Sequence, residues 1–376
     1  MILLLIITIL FLLYGMLIIY FWFGWKSIPY FTPADKLPQI KISVVIAGRN
    51  EEENIGNLLL SLQKQTYPSA LFEIIVVDDH STDNTADIVK KFKDARLLQL
   101  SDLSINSYKK KAIETGIAAA TGDWILTTDA DCNVPPGWLK TIAAFIEEKK
   151  AVFVAAPVVL TGNNSVLQLF QSIDFMMLQG ITGAAVHKKT LNMCNGANLA
   201  YERKVFHEVN GFAGIDHIAS GDDMLLMHKI GKKYPGGIHY LKSKEAIVST
   251  PAMKTWKTFF HQRIRWASKA RAYDDKRIFW VLLLVYIFNL SFLLLLVAVP
   301  IAIGSWYPYY LIGLIGLWIL KTVVELPFVY SVADFFGKRS LVKYFFFFQP
   351  LHIFYTIVSG LFGQFGKYEW KGRRVK

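Results

Sequence analysis

The sequence predicts an α/β domain with a mostly parallel sheet, flanked by N- and C-terminal transmembrane helices. Three observations lead there. Apolar residues make up 53% of the 376 positions, and the excess lies at the two ends of the chain. The middle alternates short apolar runs with helical patterns joined by short turns, the mark of a parallel sheet. The turns that follow those runs are rich in carboxylates, and in parallel sheets ligands bind beyond the carboxyl ends of the strands.

The elements follow in order. Residues 1–23 are almost wholly apolar, with no charge before Lys26. About 20 such residues cross a bilayer core of about 30 Å. A signal peptide would want a basic start and a small-residue cleavage site, and neither is present. The stretch therefore reads as a retained transmembrane helix, with Trp22, Trp25 and Tyr30 at the interface and Lys26 and Lys36 on the cytoplasmic side. Residues 24–39 carry Pro29, Pro33 and Pro38 and read as a linker. Residues 40–253 form the soluble domain. Within it, Ile42–Ala47, Glu73–Val77 and Trp124–Thr127 read as strands, Arg96–Leu100 and Val152–Ala156 as further candidates. Helices are expected to about Gln65, to about Phe92, and over Lys109–Ala120. Val166–Val186 reads as a Met- and Phe-rich helix, part of the core or facing an acceptor.

Residues 254–277 mix Lys and Arg with Trp256, Phe259, Phe260 and Trp266, which suits an amphipathic helix lying in the interface. Residues 278–365 hold three apolar blocks: Phe279 to about Ile303, Tyr309 to about Tyr330, and Tyr344 to Phe365. The second carries Lys321 and Glu325 at i, i+4, a pair that can neutralise itself or face protein. The third contains Gln349, Pro350 and His352 and makes the weakest full span, so a re-entrant or interfacial path is open to it. Residues 366–376 are a basic tail. If the first helix leads inward, three more full spans leave that tail outside, against the positive-inside tendency.

A net charge of +12 fits basic surfaces facing anionic headgroups. No basic run interleaved with stacking aromatics lies outside the membrane-flanking stretches, which argues against nucleic acid as a partner. Cys132 and Cys194 are the only cysteines, too few for a disulfide framework. They read as packing residues in a reducing compartment.

The carboxylates carry the chemistry. In GDWILTTDADCNVPP, Gly122–Pro136, Asp129 and Asp131 stand two apart at the end of an apolar run. In extended backbone, i and i+2 share a side. Two like charges held together favour a cation between them, and oxygen ligands suit a divalent ion. A solvated turn is the plain alternative. Asp78, Asp79 and Asp83 can likewise serve as cap and turn residues, and Asp222 and Asp223 can favour a helix dipole.

The ordered set of motifs resembles membrane-bound inverting glycosyltransferases of family 2, with the GT-A fold. SVVIAGRNEEENI, IIVVDDHSTDNT, KKKAIETGIAAATGDWILTTDADC, CNGANLAYERKVF, VNGF, SGDDM and QRIRW appear in that order over roughly Lys41–Arg271. The Gln-x-x-Arg-Trp element is similar to that of cellulose, hyaluronan and poly-N-acetylglucosamine synthases and of ceramide glucosyltransferases. The resemblance implies that Asp129 and Asp131 hold Mg²⁺ or Mn²⁺ on a donor diphosphate, and that Asp79 reads the uracil of a UDP-sugar. It implies that Glu51 and Lys109 lie near the nucleotide, with the register among Lys109, Lys110 and Lys111 open because Tyr108 replaces a common Gly. Asp223 matches the general base, with Asp222 where the family's Glu usually stands. Gln262, Arg265 and Trp266 match the element that grips the diphosphate and shapes the acceptor entrance. Asn195, Asn198 and Asp222 are weaker candidates for the acceptor pocket. Ala47-Gly48-Arg49 departs from the Pro-containing turn common in the family.

These roles fit the reaction. The leaving diphosphate gains charge, which a divalent ion and a guanidinium stabilise. The attacking hydroxyl must lose a proton, and one base with no covalent nucleophile implies single displacement with inversion. The resulting expectation is transfer of one sugar to a lipid or lipid-linked acceptor, or to a glycan, by a multi-pass protein of the inner or plasma membrane with its catalytic domain in the cytoplasm. Processive polysaccharide synthesis is the alternative within the class. A nucleotidyltransferase, which would release pyrophosphate, is the alternative outside it.

Overall fold

The computed structural model describes residues 2–35, 37–101, 107–162, 165–190, 193–218, 221–271, 275–301, 307–365, 368–370 and 373–375. Lys36, Ser220, residues 302–306 and parts of the basic tail lie outside the described residues. In chain order the elements are α1 Ile2–Ser27, β1 Ile42–Gly48, α2 Ile55–Gln63, β2 Phe72–Asp78, α3 Thr85–Val89, β3 Ala95–Gln99, α4 Tyr108–Ala119 and β4 Trp124–Asp129. Then come α5 Trp138–Lys149, β5 Phe153–Ala155, β6 Val158–Thr161, α6 Val166–His187, β7 Leu199–Glu202, α7 Arg203–Glu208, α8 Asp222–Lys233, β8 Ile238–Tyr240 and β9 Val248–Pro251. The chain continues with α9 Trp256–Ala267, α10 Lys276–Ile301, α11 Tyr307–Phe335, α12 Phe345–Phe365, β10 Tyr368–Trp370 and β11 Arg373–Val375.

The chain divides into two compact units. One comprises Ile28–Thr161, Ala185–Ala252 and Glu369–Lys376. Its main sheet runs β3-β2-β1-β4-β7-β5-β8. The first four of these strands pair in parallel. β7 then runs antiparallel between β4 and β5, and β8 is parallel to β5. The sheet is thus mostly parallel, as the alternation predicts. β1 is its fully buried axis: Val44, Val45 and Ile46 are covered on both faces, which is why it reads as a continuous apolar run. Two glycines permit the close packing. A Cβ on Gly116 of α4 would stand 2.5 Å from Val45 Cγ1, and one on Gly122 would stand 2.6 Å from the Ser43 backbone nitrogen. The Gly122 N–H also donates to Ser43 Oγ at 2.9 Å.

The register sets the site. Gly48 pairs with Asp78 and Ala47 with Asp129, so the carboxylate-bearing ends of β2 and β4 flank the end of β1. A second, two-stranded parallel sheet joins β6 to β9, and Asn133 bridges to Ser249. The short strands β6 to β9 escape periodicity analysis because each has only three or four residues.

The other unit comprises Met1–Ser27, Gly162–Ala184 and Met253–Tyr368. Most of α6 therefore groups with the hydrophobic helices. Four helical stretches among the described residues are long and apolar enough to cross a membrane: Ile2–Ser27, Lys276–Pro300, Pro308–Phe335 and Arg339–Gln364. Their outer faces expose Leu5, Leu12, Trp280, Ile312 and Phe347, which suits lipid contact. Inside, Lys321 and Glu325 pair at 2.7 Å, and Glu325 also accepts hydrogen bonds from Tyr14 and Gln349. All four side chains are buried, so the intrahelical pair is tied to α1 and α12. Within residues 254–277, α9 ends at Ala267 and a 3₁₀ turn continues to Arg271.

Candidate active site

The site lies at the carboxyl end of the parallel strands, all within the sheet-bearing unit. Asp129 is the last residue of β4. Its Oδ1 accepts a 2.7 Å bond from Lys109 Nζ, which also lies 3.4 Å from Asp222 Oδ2. Burial alone pushes the Lys109 pKa down, but Asp129, Asp222 and Asp223 outweigh it and hold the pKa raised. The side chain is a permanent ammonium pinned between carboxylates. Of the three lysines, Lys109 is the one that reaches these carboxylates. Lys110 is buried and donates to the Ile218 carbonyl, while Lys111 reaches Glu114 at 3.5 Å. Sequence spacing could not anticipate the Lys109–Asp222 contact, which joins α4 to α8.

Asp222 and Asp223 open α8, behind Gly221 at φ 81°. Asp223 Oδ2 accepts from the Gly196 N–H at 3.0 Å, and Oδ1 from the Met224 N–H at 2.7 Å. Two backbone donors thus fix the orientation of this carboxylate. Gly196 is the joint of the cluster: a Cβ there would stand 3.4 Å from both Lys109 Nζ and Asp222 Oδ2 and 3.6 Å from Asp223 Cβ. Its carbonyl accepts from Thr127 Oγ1 of β4 at 3.2 Å.

Asp79 is buried just past β2, and its N–H donates to the Gly48 carbonyl at 2.8 Å. Arg49, where the family pattern expects a Pro-containing turn, spans the ends of β1 and β2. Its Nη1 donates to the carbonyls of Asp79 and His80 at 2.8 and 2.9 Å. His80 adopts φ 53°, with Nδ1 3.0 Å from Asp79 Oδ1. Glu51 is also buried. Its N–H donates to Thr85 Oγ1 at 2.7 Å, and its Oε2 accepts from Asn54 at 2.8 Å.

Asn195 is half-buried, its Oδ1 accepting from the Ala197 N–H at 3.0 Å. Asn198 departs from the expected pocket role. It is fully buried, accepts from Trp138 Nε1 at 2.9 Å, and donates to the carbonyls of Pro157 and Ala246 at 2.8 Å each. With its amide spent on the framework, it has no face left for a ligand. Cys132 is buried, and burial together with Asp129 and Asp131 pushes its thiol pKa up, consistent with packing rather than nucleophilic duty.

Asp131 is half-buried and borders a cleft of about 480 Å³ lined also by Asn54, Asn57, Ser61, Lys64 and Asn133. Among the described residues no group of three or more His, Cys, Asp or Glu is arranged around a metal position. The donor set still fits a hard divalent ion. Asp129 and Asp131 offer oxygens, and the Lys109 ammonium already shows a cation held on Asp129. A metal here would need further oxygens, as a diphosphate supplies.

Gln262, Arg265 and Trp266 lie on α9, in the unit with the hydrophobic helices, all half-buried. The buried arginine of this element is Arg263, which the motif leaves unspecified.

Residues 43–209 match the family described as Glycosyl transferase family 2. This stretch of the chain is a glycosyl transferase family 2 domain. YdaM of Bacillus subtilis, named a probable glycosyltransferase, is 28% identical over 235 residues, 60% of this chain and 54% of its own length. TarS of Staphylococcus aureus, a poly(ribitol-phosphate) β-N-acetylglucosaminyltransferase, is 40% identical over 110 residues, 29% of this chain and 19% of its own. The chain thus spans about half or less of these relatives. A solved mannosyltransferase, PcManGT from Pyrobaculum calidifontis in complex with GDP-Man and Mn²⁺, aligns over 96% of each chain at 17% identity and a TM-score of 0.56. At that identity the likeness concerns the fold, which is GT-A.

Proposed function

We propose that the protein transfers a sugar from a nucleotide diphosphate, a UDP-sugar by the family reading of Asp79, to a lipid or lipid-linked acceptor with inversion at the anomeric carbon. The observation that carries this reading is the convergence of Asp79, Asp129 and Asp223 at one end of the parallel strands, with Lys109 bonded to Asp129 and braced against Asp222. Asp223 takes the acceptor proton, its carboxylate aimed by the N–H groups of Gly196 and Met224. Asp79 accepts from the ring N–H of the base. Glu51 and Arg49 support the turns around the nucleotide. Asp129 and Asp131 hold Mg²⁺ or Mn²⁺, which when bound neutralises charge on the leaving diphosphate. Lys109 adds a fixed positive charge on the same side. The cleft beside Asp131, whose lining includes the amides of Asn54, Asn57 and Asn133 and the hydroxyls of Ser61, Ser249 and Thr250, suits a hydroxyl-rich group. The donor-gripping role of Gln262, Arg265 and Trp266 rests on the sequence motif.

Four helical stretches of spanning length support the reading of a multi-pass protein of the inner or plasma membrane, with the domain in the cytoplasm where nucleotide sugars are made. The test is a screen of UDP- and GDP-sugars against lipid extracts with purified protein in bilayers, reading products by mass. A glycolipid with release of nucleoside diphosphate is expected. A long polymer would favour processive synthesis, and pyrophosphate release would overturn the sugar-transfer reading.

A further inference from the structure

The Gln-x-x-Arg-Trp helix is held by a polar knot that the motif does not include. Arg263 Nη2 donates to Asp174 Oδ2 of α6 at 2.7 Å, with both side chains 3% exposed. Tyr355 of α12 donates to the other oxygen, Asp174 Oδ1, at 2.6 Å, and His352 Nε2 lies 3.8 Å from it. The remaining guanidinium nitrogens of Arg263, Nε and Nη1, are buried without a hydrogen-bond acceptor. They are covered by aromatic faces instead. The guanidinium carbon lies 4.3 Å from the Trp266 ring centroid, 5.0 Å from Phe259 and 5.8 Å from Tyr355. Phe175, one residue beyond Asp174, packs on Trp266 at 6.2 Å.

This arrangement fixes both rotation and side-chain pose. Residues two apart on a helix point about 200° apart, so seating Arg263 inward on Asp174 turns Arg265 to the other side of α9. The same guanidinium, immobilised by two residues from other helices, is the plate against which the Trp266 indole rests. A buried ion pair adds little to stability relative to well-packed apolar residues, yet removing one partner strands the other charge. Its use here is geometric.

We propose that Asp174 and Tyr355 are positioning residues for sugar transfer, acting through Arg263 to set the pose of Trp266 and the outward face of Arg265. The inference rests on the transferase reading given above. In the full-length protein in bilayers, Asp174→Asn is expected to lower kcat by about 10²-fold, the scale of a misplaced reacting geometry. The donor KM should move less than threefold. Tyr355→Phe deletes one hydroxyl with little risk to folding and should cost about tenfold in kcat, the scale of a hydrogen bond to a charged group. The double variant Asp174→Leu/Arg263→Met removes both charges. It should regain thermal stability lost by Asp174→Asn without regaining turnover, because the plate under Trp266 is gone. If stability and turnover return together in the double variant, the knot is only structural and the proposal falls. Unchanged kcat in Tyr355→Phe and Asp174→Asn overturns it equally. Wild-type protein that forms no glycoside from any donor refutes the transferase reading instead, so the two failures are separable.

Discussion

Lys109 separates what residue types imply from what folding adds. Its ammonium stands between Asp129 and Asp222, a place that a parallel strand pair and a helix N-terminus create only together. Lys109→Met leaves these carboxylates facing one another without a cation. Mn²⁺ should then raise the unfolding temperature more in the variant than in wild type, with excess EDTA as the control. Equal shifts would show that the ion does not use this pair. Asp223→Asn keeps the size and one of the two backbone hydrogen bonds but loses the base. Turnover should fall by about 10²–10⁴-fold, with an unfolding temperature near that of wild type. Near-normal nucleotide release from this variant would remove Asp223 from the mechanism. Lys242 carries a pH prediction. It is buried, its Nζ 3.5 Å from the Ile28 carbonyl and 4.9 Å from the Tyr30 ring centroid, and burial pushes its pKa down to about 8. The unfolded chain titrates this amine near about 10.4. Between those two values the unfolded state binds the extra proton, so stability rises with pH across the window and is flat below it. The gain is on the order of 2–3 kcal/mol. Lys242→Met should remove that rise and stabilise the protein at pH 7, read by denaturant unfolding across pH 7 to 10.5.

At the scale of elements, the glycines explain why the sheet can be so close-packed. At Gly122 an added methyl would meet backbone, 2.6 Å from Ser43 N and 2.7 Å from Ile42 C, with no rotamer to relieve it. Gly122→Ala should cost about 1–3 kcal/mol or more and shift β4 against β1, which a lower denaturation midpoint would report. A midpoint unchanged from wild type would mean that the β1–β4 junction yields without cost. The parallel core was legible because buried strands such as Ile42–Gly48 write an unbroken apolar run, and because carboxylates follow them directly. β6 to β9 were not legible: they are short, and their pairing is set by partners far away in sequence. Asn198 was misread for a related reason. A polar residue among small ones looks like pocket lining, while its three buried partners, Trp138, Pro157 and Ala246, come from three distant segments. Arg263 was overlooked because the motif directs attention to its neighbours, and only tertiary contact reveals Asp174 as its counter-charge.

Across the whole molecule, the path of α12 decides where the chain ends. By composition, Arg339–Gln364 qualifies as a span, with the lowest hydropathy of the four candidates at 1.4. It packs mainly on α9 and α10 and only locally on α11. α12 touches α11 near the latter's middle, through Trp318 and Phe346 at 4.9 Å and through Lys321 and Gln349. It meets α10 where Tyr286 lies against Gly360. Along its length it follows α9 instead, with Phe259 5.5 Å from Tyr355, Phe260 6.2 Å from Phe354, and Gly363 against Ala267. We propose that α12 enters at the level of the Lys321–Glu325 pair, leaves beside the basic amphipathic helix and re-emerges on the side where α10 begins. On that path the basic tail would obey the positive-inside tendency without a fourth full crossing. The expected result is that Val375→Cys and Lys41→Cys are labelled by a membrane-impermeant maleimide from the same side, in inverted vesicles and not in intact cells. Labelling of Val375→Cys from the opposite side would make α12 a full span. It would also require Gln349, His352 and Tyr355 to cross the bilayer with their bonds to Lys321, Glu325 and Asp174 intact.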